Sequence, residues 1–159
     1  NPAIRRRNEG HYNKSGSGIM RKVRVLLAEK DDLVTTDLAV ELENSGLTVS
    51  AMTSSCVSAL KVIDENSLDF ALLNVELLDG ASYPVAKRLK ALGIPFVFFT
   101  SFEKSEIDLE FHDVPCLAKP QDSRFVADFV AGLLNSLAQT PDDSAKTKGS
   151  EHWRLNPSS

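Results

Sequence analysis

The chain has 159 residues, the length of one domain of ordinary size, and its 42% hydrophobic and 25% charged residues are the balance of a globular protein. No apolar run approaches the roughly 20 residues that a membrane-spanning helix needs. Two cysteines, Cys56 and Cys116, without a Cys/His cluster, exclude a disulfide scaffold and a structural zinc domain. The net charge of −4 is unevenly spread: six basic side chains against one acidic in residues 1–22, nine against eighteen in 23–137, and three of each in 138–159.

Residues 1–21 lack hydrophobic periodicity and contain Lys14-Ser15-Gly16-Ser17-Gly18, the composition of a flexible basic arm. No apolar stretch follows its basic residues, so it is not a secretory signal, and a reduced, cytoplasmic setting is expected. The Arg5-Arg6-Arg7 run has no interleaved aromatics, a weak nucleic-acid signal; it reads as a solvated tail, with contact to an anionic partner as the alternative. Val23–Ala28 is a short apolar run followed by acids, a buried strand. From Leu33 to Asn44, Leu33, Val34, Leu38, Val40 and Leu42 give an approximate helical stripe that Gly46 ends. Leu47–Met52 alternates and reads as strand two. Ser54 or Ser55 caps a helix with Val57, Leu60 and Ile63 on one face. Asp69–Leu73 is strand three. Ser82-Tyr83-Pro84 is a cap followed by proline in the first helical turn, and the helix runs to about Leu92 and Gly93. Pro95–Thr100, the most hydrophobic stretch, is strand four. Residues 101–113 are polar apart from Ile107, Leu109 and Phe111, and specify a short helix poorly. Val114–Ala118 is a brief fifth strand. Phe125, Val126, Phe129, Val130, Leu133, Leu134 and Leu137 form the clearest amphipathic helix. Residues 138–159 are polar, are expected to be disordered, and give Trp153 nothing to anchor it.

Apolar strands alternating with amphipathic helices predict an α/β fold, a doubly wound five-stranded parallel sheet between two helical layers, over residues 22–137. Such sheets carry their site at the carboxyl ends of the strands. There the sequence places Glu29, Lys30, Asp31 and Asp32 after strand one, and Asn74 then Glu76, Asp79 and Gly80 after strand three. Thr100 ends strand four, and Lys119-Pro120 follows strand five. His11, His112 and His152 are scattered, so no Ser–His–Asp arrangement is indicated, and Gly16-Ser17-Gly18 lacks the context of a phosphate-binding loop.

The acidic cluster, the polar residue ending strand three, the glycine shortly after, Thr100 and Lys119-Pro120, in this order, resemble the receiver domain of two-component response regulators. The resemblance covers about residues 22–137 and implies a flavodoxin-like (βα)5 fold. It also implies Mg²⁺ held by strand-one acids and a strand-three aspartate, a phosphoryl group taken by that aspartate, and a hydroxyl and a lysine that hold the phosphate. Two positions depart from that pattern. Asn74 stands where the phospho-accepting aspartate is expected, and an amide is no substitute for a carboxylate nucleophile. Lys30 stands at one of the metal-binding acids, placing a cation where a hard anionic oxygen is wanted. Mg²⁺ binding is therefore expected to be lost or weak, with no catalytic residue and no other cofactor. The degenerate pocket comprises Glu29, Lys30, Asp31, Asn74, Glu76, Thr100 and Lys119.

Two readings of Lys30 stand. Its ammonium neutralises Glu29 or Asp31 near the metal position and donates to the Asn74 amide oxygen, or it points to solvent. Thr100 and Cys116 occupy the family's switch positions, and neither Thr100 nor Lys119 keeps its phosphate-linked partner. Thr100 then serves to end its strand and Lys119 the turn before Pro120, while Cys116 is too small to swing as an aromatic switch and reads as a buried structural thiol. The expected function is a phosphorylation-independent receiver acting through protein–protein contact, on a protein partner such as a histidine kinase or as a homodimer, with neither membrane nor nucleic acid involved. The alternatives are a phosphorelay receiver that uses Asp31, Glu76 or Asp79, and a small flavodoxin-like ligand-binding module.

Overall fold

The structure, a computed structural model, describes residues 22–139. The basic arm, with Arg5-Arg6-Arg7, and the tail from residue 140, with Trp153, lie outside the described residues. Five parallel strands form one sheet: β1 (Arg24–Ala28), β2 (Thr48–Thr53), β3 (Phe70–Leu73), β6 (Phe96–Thr100) and β7 (Cys116–Ala118). A small antiparallel hairpin, β4 (Glu76–Leu77) with β5 (Gly80–Ala81), follows β3. The helices are α1 (Asp32–Asn44), α2 (Cys56–Glu65), α3 (Tyr83–Leu92) and α4 (Ser123–Gln139). The sheet order is β2-β1-β3-β6-β7. The chain leaves β1 for β2 on one side and returns to β3 on the other, so the crevice of this doubly wound sheet opens at the carboxyl ends of β1 and β3.

Strand alternation divides the core. Leu26, Ala28, Ala71, Leu73, Phe96 and Phe98 face α2 and α3, where Ala59, Ile63, Val85 and Leu89 meet them. Val25, Leu27, Phe70, Leu72, Val97 and Phe99 face the opposite layer, against Leu38 and Leu42 of α1 and Val126 and Val130 of α4. Both faces are covered, which is why β1, β3 and β6 are almost continuously apolar. Each fully buried leucine or phenylalanine contributes roughly 1.5–3 kcal/mol by leaving water.

The three-layer architecture agrees with the expectation, and three details differ. In α2 the buried face is Cys56, Ala59 and Ile63, while Val57 is 72% exposed. Ser55, one of the two expected caps, caps the helix by accepting from the Ser58 amide, and packing against the sheet buries a face offset by one residue from Val57 and Leu60. In α1, Leu33 and Val40 face solvent and only Thr35, Leu38 and Leu42 are buried. Between β6 and β7 the fourth of the five α-helices of a (βα)5 chain is replaced by two 3₁₀ turns, Lys104–Glu106 and Leu109–Phe111. Their apolar anchors, Ile107 and Phe111, are too few for an amphipathic face, but they suffice to pin the segment. Phe111 stacks on Tyr83 at 5.4 Å and meets Phe98 edge-on at 6.1 Å. Among the described residues, no helix is long and apolar enough to cross a membrane.

Candidate functional site

Glu29 leaves the end of β1 with its backbone N–H donating to the Thr53 carbonyl, and its carboxylate is 4% exposed. A carboxylate taken from water needs compensating donors. Lys119 Nζ donates to Oε1 at 2.7 Å; the Asp31 N–H, at 2.9 Å, and Asn74 Nδ2, at 3.3 Å, donate to Oε2. Asn74 is itself buried, and its backbone N–H bonds to the Ala28 carbonyl, continuing the β1–β3 ladder. Its Oδ1 accepts from the Glu76 N–H at 3.3 Å. A carboxylate can only accept and an N–H can only donate, so this amide orientation is the one that satisfies both neighbours. The Ser82 hydroxyl donates to the Asn74 carbonyl at 2.7 Å. Ser82 stands at the N-cap of α3 with Pro84 in the first turn, as expected, but its side chain braces the pocket and makes no cap hydrogen bond.

Lys119 sits over the Phe99 ring at 5.3 Å, and its own N–H donates to the Thr100 carbonyl. It precedes a cis peptide to Pro120. The reading of Lys119 as serving only the turn before Pro120 is thus corrected: it is also the counter-ion of Glu29. Thr100 is fully buried, with Oγ1 accepting from the Phe102 N–H at 3.2 Å.

Lys30 is also placed differently. It lies 3.1 Å from Glu76, a half-exposed pair across the mouth of the pocket, and bonds neither to Glu29, Asp31 nor the Asn74 amide oxygen. Glu29 has already taken Lys119, and the Asn74 oxygen has taken a backbone donor, so a long side chain at the rim reaches the nearest free carboxylate. Asp31 turns away from the pocket to cap α1, its Oδ1 accepting from the Leu33 and Val34 amides at 2.9 and 3.3 Å. The structure therefore brings together Glu29, Asn74 and Lys119, with Thr100 beside Lys119 through the backbone. Lys30 and Glu76 close the rim, and Asp31 contributes only its N–H.

Asp79 was not expected to brace the site. From the hairpin it caps α2, accepting from the Cys56 and Val57 amides at 2.7 and 3.2 Å, while the Leu78 N–H donates to the Ser54 carbonyl. The Cys56 hydrogen bond, chiefly, holds the Asp79 carboxyl below the ordinary value. Gly80, at φ +130°, permits this turn where a side chain would be strained. The sequence signal was an aspartate before a glycine in a loop. The Cys56 thiol donates to the Ala81 carbonyl; burial, assisted by Asp79, pushes it from 9.0 up to about 11. Cys116 is partly buried, and burial raises its thiol too, against the pull of Lys104.

No family model matches the sequence. No curated protein matches it either. Solved structures do. SdrG from Sphingomonas melonis Fr1 is 33% identical, with a TM-score of 0.60, over 69% of this chain and 95% of that one. The receiver domain of the PhyR response regulator from Erythrobacter litoralis is 16% identical with a TM-score of 0.64, covering 76% and 95% of the two chains. A two-component response regulator from Clostridium difficile is 21% identical with a TM-score of 0.66, covering 75% and 100%. The latter two show the fold, whereas SdrG adds a third of its residues in common over nearly its whole length. On that likeness and this sheet, the chain belongs to the CheY-like response-regulator receiver domains.

Proposed function

We propose that this receiver signals through protein–protein contact without accepting a phosphoryl group and without holding Mg²⁺, and that it is not an enzyme. The observation that carries this reading is the saturation of Glu29 by Lys119, Asn74 and the Asp31 amide. Mg²⁺ takes an octahedral set of oxygen ligands at about 2.0–2.1 Å. Here the strand-one carboxylate already has an ammonium, the neighbouring acid position carries Lys30, and the strand-three position offers an amide. Among the described residues, no three His, Cys, Asp or Glu side chains converge as a metal-binding group. SdrG is described in a BeF3-activated conformation; this chain carries Asn74 where the resemblance implies the phospho-accepting aspartate.

The fixed pocket replaces what a ligand would otherwise do. Lys119 neutralises the buried charge, Asn74 ties β1 to β3, and Lys30–Glu76 holds the hairpin over the mouth. A module so held is biased by a partner's differential affinity for its conformations. The excess of acids in residues 23–137 suits a protein partner with a basic docking patch, such as a histidine kinase or another signalling protein, or else a second copy. We place this signalling in the cytoplasm, with neither membrane nor nucleic acid engaged.

The test is intact-protein mass after incubation with Mg²⁺ and a small phosphodonor. No base-labile phosphoryl gain is expected. A stoichiometric gain would establish the phosphorelay alternative, and mapping it to Asp31, Glu76 or Asp79 would identify the substitute acceptor.

A further inference from the structure

We propose that the basic arm of this chain, residues 1–21, seats its Arg5-Arg6-Arg7 run in the groove between α1 and α4. The groove is lined by Glu41, Ser45 and Gly46 at the end of α1 and by Arg124, Asp128 and Asn135 along α4. It lies on the layer opposite α2 and α3, and none of these residues belongs to the Glu29–Asn74–Lys119 pocket.

Three observations select this occupant. The first is charge. The arm has five basic side chains against one acidic. All four charged residues of α1, Asp32, Asp37, Glu41 and Glu43, are acids, and its last turn holds no cation to meet the negative end of the helix. Among the described residues, neither Glu41 nor Asp128 has an ion-pair partner. Arg124 opposes a cationic guest at its own end, so the arginines face Glu41 and Asp128.

The second is the point of entry. The Thr48 N–H donates to the Val23 carbonyl at 2.9 Å, and Thr48 stands two residues after Gly46 of the groove wall. The arm therefore joins the domain at the groove's rim.

The third is reach. About 15 residues separate the arginine run from Val23, and a random-coil tether of that length would span about 20 Å. The 17 residues of α4 extend about 25 Å, so tether and groove match in scale. A tether of this kind supplies an effective concentration in the millimolar range, enough to populate a contact of only millimolar intrinsic affinity. A partner that used the α1–α4 face would first displace the arm.

The experiment compares amide NMR spectra of the full chain and of its R5A/R6A/R7A variant between about 0.01 M salt, where charges interact over about 30 Å, and about 1 M, where the range is about 3 Å. In the parent chain, the amides of Ser45, Gly46 and Asn135 are expected to shift between the two conditions, identically at all protein concentrations. The variant is expected to lose most of that difference. E41Q and D128N, which keep size and remove charge, are each expected to reduce it. Equal salt shifts in parent and triple variant would overturn the proposal. Shifts that grow with protein concentration would also overturn it, assigning the groove to a second copy.

Discussion

Glu29 sets the energetics of the pocket, because a carboxylate with 4% exposure cannot fall back on water. Lys119→Met keeps the stem against Phe99 and removes the ammonium, leaving Glu29 an unpaired buried charge. The expected loss is about 3 kcal/mol in urea denaturation, the low end for breaking a buried pair, since the Lys119 side chain keeps 20% exposure. Adding Glu29→Gln to that variant should recover most of the loss, and a double variant no more stable than the single one would show that the ion pair is incidental. Cys56 gives a pH signature. Its thiol is raised from 9.0 to about 11 in the folded protein, so the stability linked to it is complete below pH 9.0 and is lost as pH climbs through about 11. The stability difference between the parent chain and Cys56→Ala should therefore be flat below pH 9.0 and shift against the parent above it. Asp79→Asn removes the lesser cause and leaves burial, so the thiol should titrate lower than in the parent but still above 9.0. An unchanged thiol titration in Asp79→Asn would show that the carboxylate does not act on it. At this scale the sequence was legible in residue type but not in pairing. Strand order was enough to bring Lys119 near Asn74. Which acid each lysine takes depends on which acceptors are already satisfied, and the Lys119–Glu29 bond spans 90 residues. Asp31 was ambiguous for a related reason: an aspartate one residue before a helix is also its natural cap.

The elements divide into those fixed by local pattern and those fixed by neighbours. The strands were legible because burial on both faces makes them short apolar runs, and α4 because its stripe is long. The face of α2 was not, since a helix of 10 residues has few apolar positions and its buried set, Cys56, Ala59 and Ile63, shares only Ile63 with the expected stripe. The segment between β6 and β7 shows tertiary contact replacing propensity. It holds its course through Phe111, which is 1% exposed, with Lys90 bonded to the Glu110 carbonyl and to Asp113. Phe111→Ala should cost about 3–5 kcal/mol by opening a cavity beside Phe98 and Tyr83. Leu109→Ala, on a side chain 80% exposed, should stay within about 0.5 kcal/mol. Comparable losses from the two would mean that the turns are held by their own backbone and not by the aromatic cluster.

Across the whole molecule, one substitution links pocket charge to global stability. Asn74→Asp places a second carboxylate about 3.3 Å from Glu29 Oε2, in a buried site where Lys119, the one inward cation among the described residues, is already engaged. Lys30 is held by Glu76 at the rim and does not reach inward. Two like charges so close disfavour joint ionisation, which raises the carboxyl pKa of the pair in the folded state. The unfolded chain carries no such constraint, so the variant's stability is complete at low pH and falls as pH rises through the raised value. At neutral pH the expected deficit against the parent is about 1–3 kcal/mol, combining the lost amide hydrogen bond with the repulsion, and it should shrink steadily in acid. A divalent cation offers another relief, provided that the rim ammonium no longer opposes it. Mg²⁺ should therefore leave the parent's unfolding free energy unmoved and raise that of the Asn74→Asp/Lys30→Asp variant, by about 2.7 kcal/mol when its concentration is 100 times the dissociation constant. If the double variant ignores Mg²⁺ while still folding, the two replaced side chains are not what keeps the ion out of this pocket, and the pairing of Glu29 with Lys119 is. If instead the parent itself is stabilised by Mg²⁺, the saturated carboxylate does not exclude the ion, and the phosphorylation-independent reading fails with it.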